Sequence, residues 1–183
     1  MSKSIKVIVI IAVIALAAVL GLTVIKDAVE EKMYPLEYED IIVAKAEKYN
    51  LDPYLVCAMI KTESGFDETA VSPVGAQGLM QIMPETADWI AEKLEMTSYD
   101  IFDPETNIEF GCWYLSFLQE KFSSQNTIIA AYNAGHGKVA EWLEGEHSAD
   151  GENLDDIPYE ETEKYVGKVA RAYEKYKELY KIG

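Results

Sequence analysis

Cysteine and histidine are nearly absent from this 183-residue chain, with two of each. Cys57 and Cys112 lie in apolar surroundings, Leu55-Val56-Cys57-Ala58-Met59 and Phe110-Gly111-Cys112-Trp113-Tyr114. Two buried free thiols suit those surroundings best, although an oxidising compartment would also permit one disulfide. His136 and His147 sit in polar, Gly-containing stretches and read as solvated loop residues. No Cys or His spacing matches a metal site. Basic residues are also scarce: 16 Lys and Arg against 32 Asp and Glu, a formal net charge of −16. Nucleic acid and anionic lipid are therefore disfavoured as partners, since both need basic surface. Solubility alone accounts for the acidity. Sustained period-two alternation and internal repeats are missing as well, which argues against a sheet-based or repeat architecture.

The composition that remains is ordinary for a globular protein, 49% apolar and 26% charged. Its length allows one core of moderate size. The first stretch differs. Lys3 and Lys6 precede an uncharged run from Val7 to Ile25, made almost wholly of Ile, Val, Leu and Ala. A helix needs about 20 such residues to cross a bilayer core, and lysines before the run favour a cytoplasmic N-terminus. A cleaved signal peptide is the rival reading, because Ala15-Leu16-Ala17 resembles a small-x-small cleavage site. The run continues apolar to Ile25, which a cleaved peptide would not need, so an anchor fits better. Either way the remainder is exported, and its 14 basic residues face 32 acidic ones. The expected organisation is a stub and transmembrane anchor over 1–25, a charged juxtamembrane spacer over 26–35 and one all-α domain over 36–183.

Within that domain nearly every segment reads as helix. Ile41, Ile42, Ala44, Ala46 and Tyr49 belong to a short amphipathic helix. Asp52-Pro53 marks a new start, with Asp52 as N-cap and Pro53 at the first helical position, and this helix runs to about Ser64. Pro84 opens a helix to about Leu94, and Asp103-Pro104 opens a long one to about Phe122. Short helices follow over Thr127–Ala134 and Lys138–Leu143. Residues 145–156 read as a polar loop, and Pro158 starts a terminal helix reaching about Tyr180.

Chemistry is first suggested by Glu63. It lies four residues after Met59 and three after Ile60, so helical geometry puts it on their apolar face. Burial there would raise its pKa and keep it protonated near neutral pH, as a general acid requires. From this helix alone, a carboxylate turned out to solvent explains the position slightly better. Gly75-Ala76-Gln77-Gly78-Leu79-Met80-Gln81-Ile82-Met83-Pro84 adds an uncharged stretch of glycines, amides and methionines. Gln81 can both donate to and accept from sugar hydroxyls and acetamido groups, and methionines make a soft apolar floor. An ordinary connecting loop would also fit. Tyr132-Asn133 before Gly135, and Glu161 with Tyr165 four residues on, could line a cleft or simply cap and pack helices.

Taken in order, these pieces are far more specific. Glu63-Ser64-Gly65-Phe66, then Gly78-Leu79-Met80-Gln81-Ile82-Met83-Pro84 with Thr86-Ala87, then Ala131-Tyr132-Asn133-Ala134-Gly135, then Pro158, Glu161-Thr162 and Tyr165-Val166 follow one another along the chain. The series resembles the soluble lytic transglycosylase family, whose catalytic domain is lysozyme-like. Asp103-Pro104, Asn107-Ile108, Gly111 and Tyr114-Leu115 are similar to that family's connecting helix. The resemblance implies Glu63 as the catalytic acid/base. It implies substrate contacts from Gln81 and Met83, with Tyr132 and Asn133 near the reacting sugar. Glu161 would support the site, Tyr165 would point to the catalytic carboxyl, and Ser64 would help or support it. The implied reaction cleaves the bond between N-acetylmuramic acid and N-acetylglucosamine in peptidoglycan, leaving 1,6-anhydromuramoyl ends, with no metal or other cofactor. A lysozyme-type hydrolase on the same fold and a non-catalytic glycan-binding envelope protein are the alternatives.

Overall fold

In a computed structural model of the chain, residues 28–183 are described continuously, with residues 16, 17, 20–22, 25 and 26 before them. Most of the apolar run expected to form the membrane anchor lies outside the described residues. No helix among the described residues is long and apolar enough to cross a membrane. The chain divides into two compact units, Met1–Pro35 and Leu36–Gly183. In the first, residues 28–33 are helical.

The second unit is built from seven helices among the described residues: α1 Glu39–Lys48, α2 Pro53–Glu63, α3 Pro84–Lys93, α4 Pro104–Gln119, α5 Gln125–Ala134, α6 His136–Glu144 and α7 Glu160–Leu179. The only extended pairing described is a pair of isolated bridges, Val71 with Gln77 and Gln77 with Ile82. The starts of α2 and α4 follow from one chemistry. Asp52 and Asp103 each accept a hydrogen bond from a free amide of the first turn, Tyr54 N and Thr106 N, both at 2.9 Å. The proline that follows each aspartate has no amide to satisfy.

Helix α2 is the centre of the core. Every residue from Leu55 to Ile60 is buried, so this helix is covered on all sides. It packs most extensively on α7, which buries Thr162, Tyr165, Val166, Val169, Ala172 and Tyr176 along a single stripe. Truncating a fully buried side chain such as Ile60 to alanine would cost ~2–5 kcal/mol. The α1 and α4 helices are joined by an ion cluster. Glu109 of α4 accepts from Lys45, Lys48 and Tyr49. Burial alone would raise the pKa of this carboxyl, but the three donors outweigh it and hold the value at about 2.

The helix ends differ from expectation at a few points. Helix α4 stops at Gln119 rather than near Phe122. The terminal helix starts at Glu160, two residues after Pro158, with Tyr159 as its N-cap. His136 opens α6 instead of lying in a loop, and its ring meets Phe117 edge-on at 5.4 Å. The expected first position of that helix, Lys138, is already inside it. Cys57 and Cys112 are both buried and free.

Candidate active site

Glu63 is the last residue of α2. The helix stops there because the chain turns into a left-handed pair, Gly65 at φ 65° and Phe66 at φ 73°. Ser64 makes that turn specific. Its hydroxyl donates to Leu79 O at 2.8 Å and accepts from Phe66 N at 3.1 Å. Ser64 therefore ties the end of α2 to the 77–82 turn, and its hydrogen bonds run to backbone.

That turn is a closed loop. Gln77 and Ile82 exchange both backbone hydrogen bonds at 3.0 Å. Gly78 has φ 74°, and a Cβ there would fall 2.2 Å from Asn107 Nδ2 and 2.9 Å from Ile101 O. Only glycine fits so close an approach. Gln81 adopts φ 50°, a left-handed conformation uncommon for a residue with a side chain. Its amide nitrogen donates to Gly78 O at 2.9 Å and Ala70 O at 3.2 Å. The amide group is thus fixed, and its oxygen makes no hydrogen bond among the described residues. Met83 follows as the half-buried N-cap of α3.

Beneath the loop lies Asn107, a fully buried residue to which the sequence reading gave no role at the site. It accepts from Met80 N at 2.7 Å and donates to Gln77 O at 3.0 Å and Ile101 O at 2.8 Å. Its signal in the sequence is an amide in the first turn of α4, directly ahead of the apolar positions Ile108, Phe110 and Leu115. One turn further along α4, Gly111 makes room for Met80, whose sulfur would be 2.1 Å from a Cβ at that position.

Glu63 faces this loop from α2 and receives a hydrogen bond from the hydroxyl of Tyr165 on α7. The same hydroxyl is 3.6 Å from Met59 Sδ, on the apolar face predicted for Glu63. Burial raises the pKa of Glu63 to about 7, and the Tyr165 hydrogen bond opposes that rise. Tyr132 donates to Met80 O at 2.8 Å. Its own pKa is driven far up, first by burial and then by the charge of Glu63. Glu63, Ser64, Gln81, Tyr132 and Tyr165 thus gather around one carboxyl and one loop.

Asn133, Thr162 and Glu161 lie on a separate rim. Thr162 donates to Asn133 Oδ1 at 2.7 Å. Asn133, Thr162 and Glu161 line an open depression of about 560 Å³ with Pro158 and Tyr159. Glu161 is exposed and makes no hydrogen bond to Glu63 among the described residues. The arrangement can deliver one proton from a raised-pKa carboxyl to a ligand held against an amide-bearing loop.

An all-helical domain with one such carboxyl at the end of its central helix defines a lysozyme-like protein. Residues 40–154 match the Transglycosylase SLT domain, and the chain belongs to this family. The soluble lytic murein transglycosylase of Escherichia coli K12 is 35% identical over 154 residues, covering 80% of this chain and 24% of that protein. Membrane-bound lytic murein transglycosylase C of Edwardsiella ictaluri is 40% identical over 117 residues, 56% of this chain and 32% of that protein. The crystal structure of the 70 kDa soluble lytic transglycosylase from Escherichia coli superposes with a TM-score of 0.74 at 33% identity, covering 82% of this chain and 25% of that one. The chain thus spans only about a quarter to a third of the length of these relatives. Glu161 and Tyr165 follow the residues matched by the family, so Tyr165 is tied to the site by its hydrogen bond to Glu63.

Proposed function

We propose that this protein is a peptidoglycan lytic transglycosylase in which Glu63 is the single catalytic acid/base. The observation that carries the reading is the state of Glu63: a carboxyl raised to about 7 by burial, oriented by Tyr165. A group with that pKa is substantially protonated at neutral pH and can still give up and regain its proton. Tyr165 donates to Oε1, which leaves Oε2 to carry the proton. Glu63 passes it to the glycosidic oxygen between N-acetylmuramic acid and N-acetylglucosamine, and the bond to C1 breaks. The substrate's own acetamido oxygen stabilises the positive charge at C1. Glu63, now ionised, takes the proton of the muramoyl C6 hydroxyl as that oxygen closes on C1. The product is a 1,6-anhydromuramoyl end, no water is consumed, and Glu63 is returned protonated.

In this reading Gln81 presents its free amide oxygen to substrate N–H or O–H groups. Met83, Tyr132 and Asn133 line the sugar cleft, Glu161 supports its outer rim, and Ser64 acts by holding the loop. The domain over 36–183 carries the activity outside the cytoplasmic membrane. The uncharged run from Val7 to Ile25 behind Lys3 and Lys6 supports a single-pass anchor. Membrane fractionation of the full chain tests the anchor, and recovery in a salt-washed soluble fraction would reject it.

The activity is tested by digesting purified peptidoglycan with the full chain and with Glu63→Gln, reading products by mass spectrometry. Anhydromuramoyl ends from the wild type alone are expected. Reducing ends alone would make the enzyme a muramidase, and equal activity of Glu63→Gln would remove Glu63 from the mechanism.

A further inference from the structure

Helix α4 meets α3 through a face that stays partly in water. Its residues from Asn107 to Cys112, with Leu115 and Leu118, are buried. Trp113, Tyr114 and Phe117 are only half-buried, as is Trp89 of α3. Phe66, Phe110, Trp142 and Tyr176, by contrast, are buried in the core. The four half-buried rings form one cluster. Trp89 stands across the others, its ring centre 5.0 Å from Trp113, 5.0 Å from Phe117 and 6.3 Å from Tyr114, at 80–86° to each. Trp113 and Phe117 are within 6° of parallel. Lys121 Nζ lies 4.7 Å from the Phe117 ring centre. Phe117 is thus in contact with Trp89, Trp113 and Lys121.

The cluster is continuous with the candidate site. Tyr114 is 5.4 Å from Tyr132, the ring that bonds Met80 O beside Glu63. Apolar rings that stay partly in water forgo part of the stabilisation that burial would give, about 25 cal/mol per Å² left exposed. Four of them side by side, adjoining a polar cleft, mark a ligand surface more than a packing remnant.

We propose that Trp89 and Trp113, braced by Phe117 and Tyr114, form a distal platform for pyranose rings of the same glycan strand whose scissile bond lies at Glu63. The inference rests on the glycan-cleaving reading of the site. A β-1,4-linked hexosamine has equatorial substituents, so each ring face presents axial C–H groups. Those hydrogens carry slight positive charge and match the negative face of an indole. The indole N–H adds a donor for a hydroxyl or acetamido oxygen. Contacts of this kind strengthen binding of long strands.

The test uses the full chain carrying Glu63→Gln, so that ligand is bound and not cleaved. The probes are the β-1,4-linked N-acetylglucosamine trimer and hexamer, titrated by tryptophan fluorescence and calorimetry. The hexamer should bind about tenfold more tightly than the trimer, the gain of one or two stacked rings. Adding Trp113→Ala, or the conservative Trp113→Leu if the first fails to fold, should remove most of that advantage and leave the trimer affinity in place. A hexamer that gains nothing over the trimer, or an advantage untouched by both tryptophan changes, overturns the platform while leaving the cleft reading standing. Failure of both oligosaccharides to bind, with no product from the Glu63 enzyme, overturns the cleft reading itself. A concentration-dependent dimer in sedimentation that Trp113→Ala abolishes would assign the surface to a second copy of this chain and reject the platform.

Discussion

Asn107 holds Met80 by its backbone amide at 2.7 Å, and Tyr132 holds the carbonyl of the same residue at 2.8 Å. A single loop residue is thus clamped between α4 and α5, with its side chain seated over Gly111. Through it the position of Gln81, the next residue, is fixed relative to Glu63. Asn107→Ala strands the Met80 N–H and two carbonyls in the interior, and a loss of ~2–4 kcal/mol is expected. Asn107→Asp should be no better. It keeps the acceptor for Met80 but turns an oxygen towards Gln77 O and Ile101 O. Thermal melts with peptidoglycan digestion rates below the melting range check both. Wild-type stability in either variant would show that the clamp is not needed.

Gly111→Ala tests the other half of the clamp without touching a hydrogen bond. The new Cβ would meet a fully buried Met80 side chain, which must shift. Overpacking of this kind costs ~1–3 kcal/mol. A companion Met80→Ala change should relieve the clash and recover part of the lost melting temperature. If the double variant is simply the sum of the two singles, the two residues are not coupled as described.

The fold was readable because its signals are local. Asp52-Pro53 and Asp103-Pro104 fix two helix starts through capping chemistry, Pro84 fixes a third through its own backbone at the first helical position, and all three fall where they should. Helix ends are weaker: α4 frays before Phe122, and Tyr159 rather than Pro158 caps α7. Glu63 beside Met59 was legible from helical spacing. The partner of Glu63, 102 residues away, was expected through the family resemblance alone, since no local spacing points to Tyr165. Two things were not legible. Asn107 reads as one polar residue in an apolar helix until the loop folds over it. The aromatic cluster joins α3 to α4, and no spacing along one helix reveals it.

Glu63 should cost the fold stability at neutral and alkaline pH. Its carboxyl is raised from the ordinary 4.5 to about 7. A group raised in the folded state favours folding fully below about 4.5, and that contribution is lost as pH rises through about 7. Glu63→Gln keeps a neutral side chain at every pH. The variant should therefore match the wild type near pH 4 and exceed it above pH 7 by roughly 2–3 kcal/mol. Melting curves of both proteins across that range decide the matter, and a constant offset would contradict the burial of Glu63.

Tyr165→Phe removes the hydrogen bond that stabilises ionised Glu63, so the pKa of Glu63 moves up from about 7. In the proposed reaction Glu63 acts first as an acid, so activity should fall as it ionises. The alkaline limb of kcat/KM should lie near pH 7 in the wild type and shift to higher pH in the variant. The plateau should fall by about ten- to a hundredfold, because the carboxyl is no longer oriented. A lower plateau with an unmoved limb would mean that Tyr165 shapes the cleft without acting on the Glu63 proton.

Glu109 has the opposite pH signature, and it separates a structural ion cluster from the candidate site. Its carboxyl is held down at about 2 by Lys45, Lys48 and Tyr49. A depressed carboxyl stabilises the fold fully above its unfolded value of 4.5, and loses that effect as pH falls towards 2. Glu109→Gln removes the stabilisation at neutral pH and leaves Lys45 buried without its main partner, a loss of about 1–3 kcal/mol. The variant should also show a smaller acid-induced fall in melting temperature than the wild type over this range. Digestion rates at a temperature where both are folded should agree, since nothing in the cluster touches Glu63 or the 77–82 loop. A selective loss of activity with stability preserved would instead place Glu109 in the catalytic apparatus.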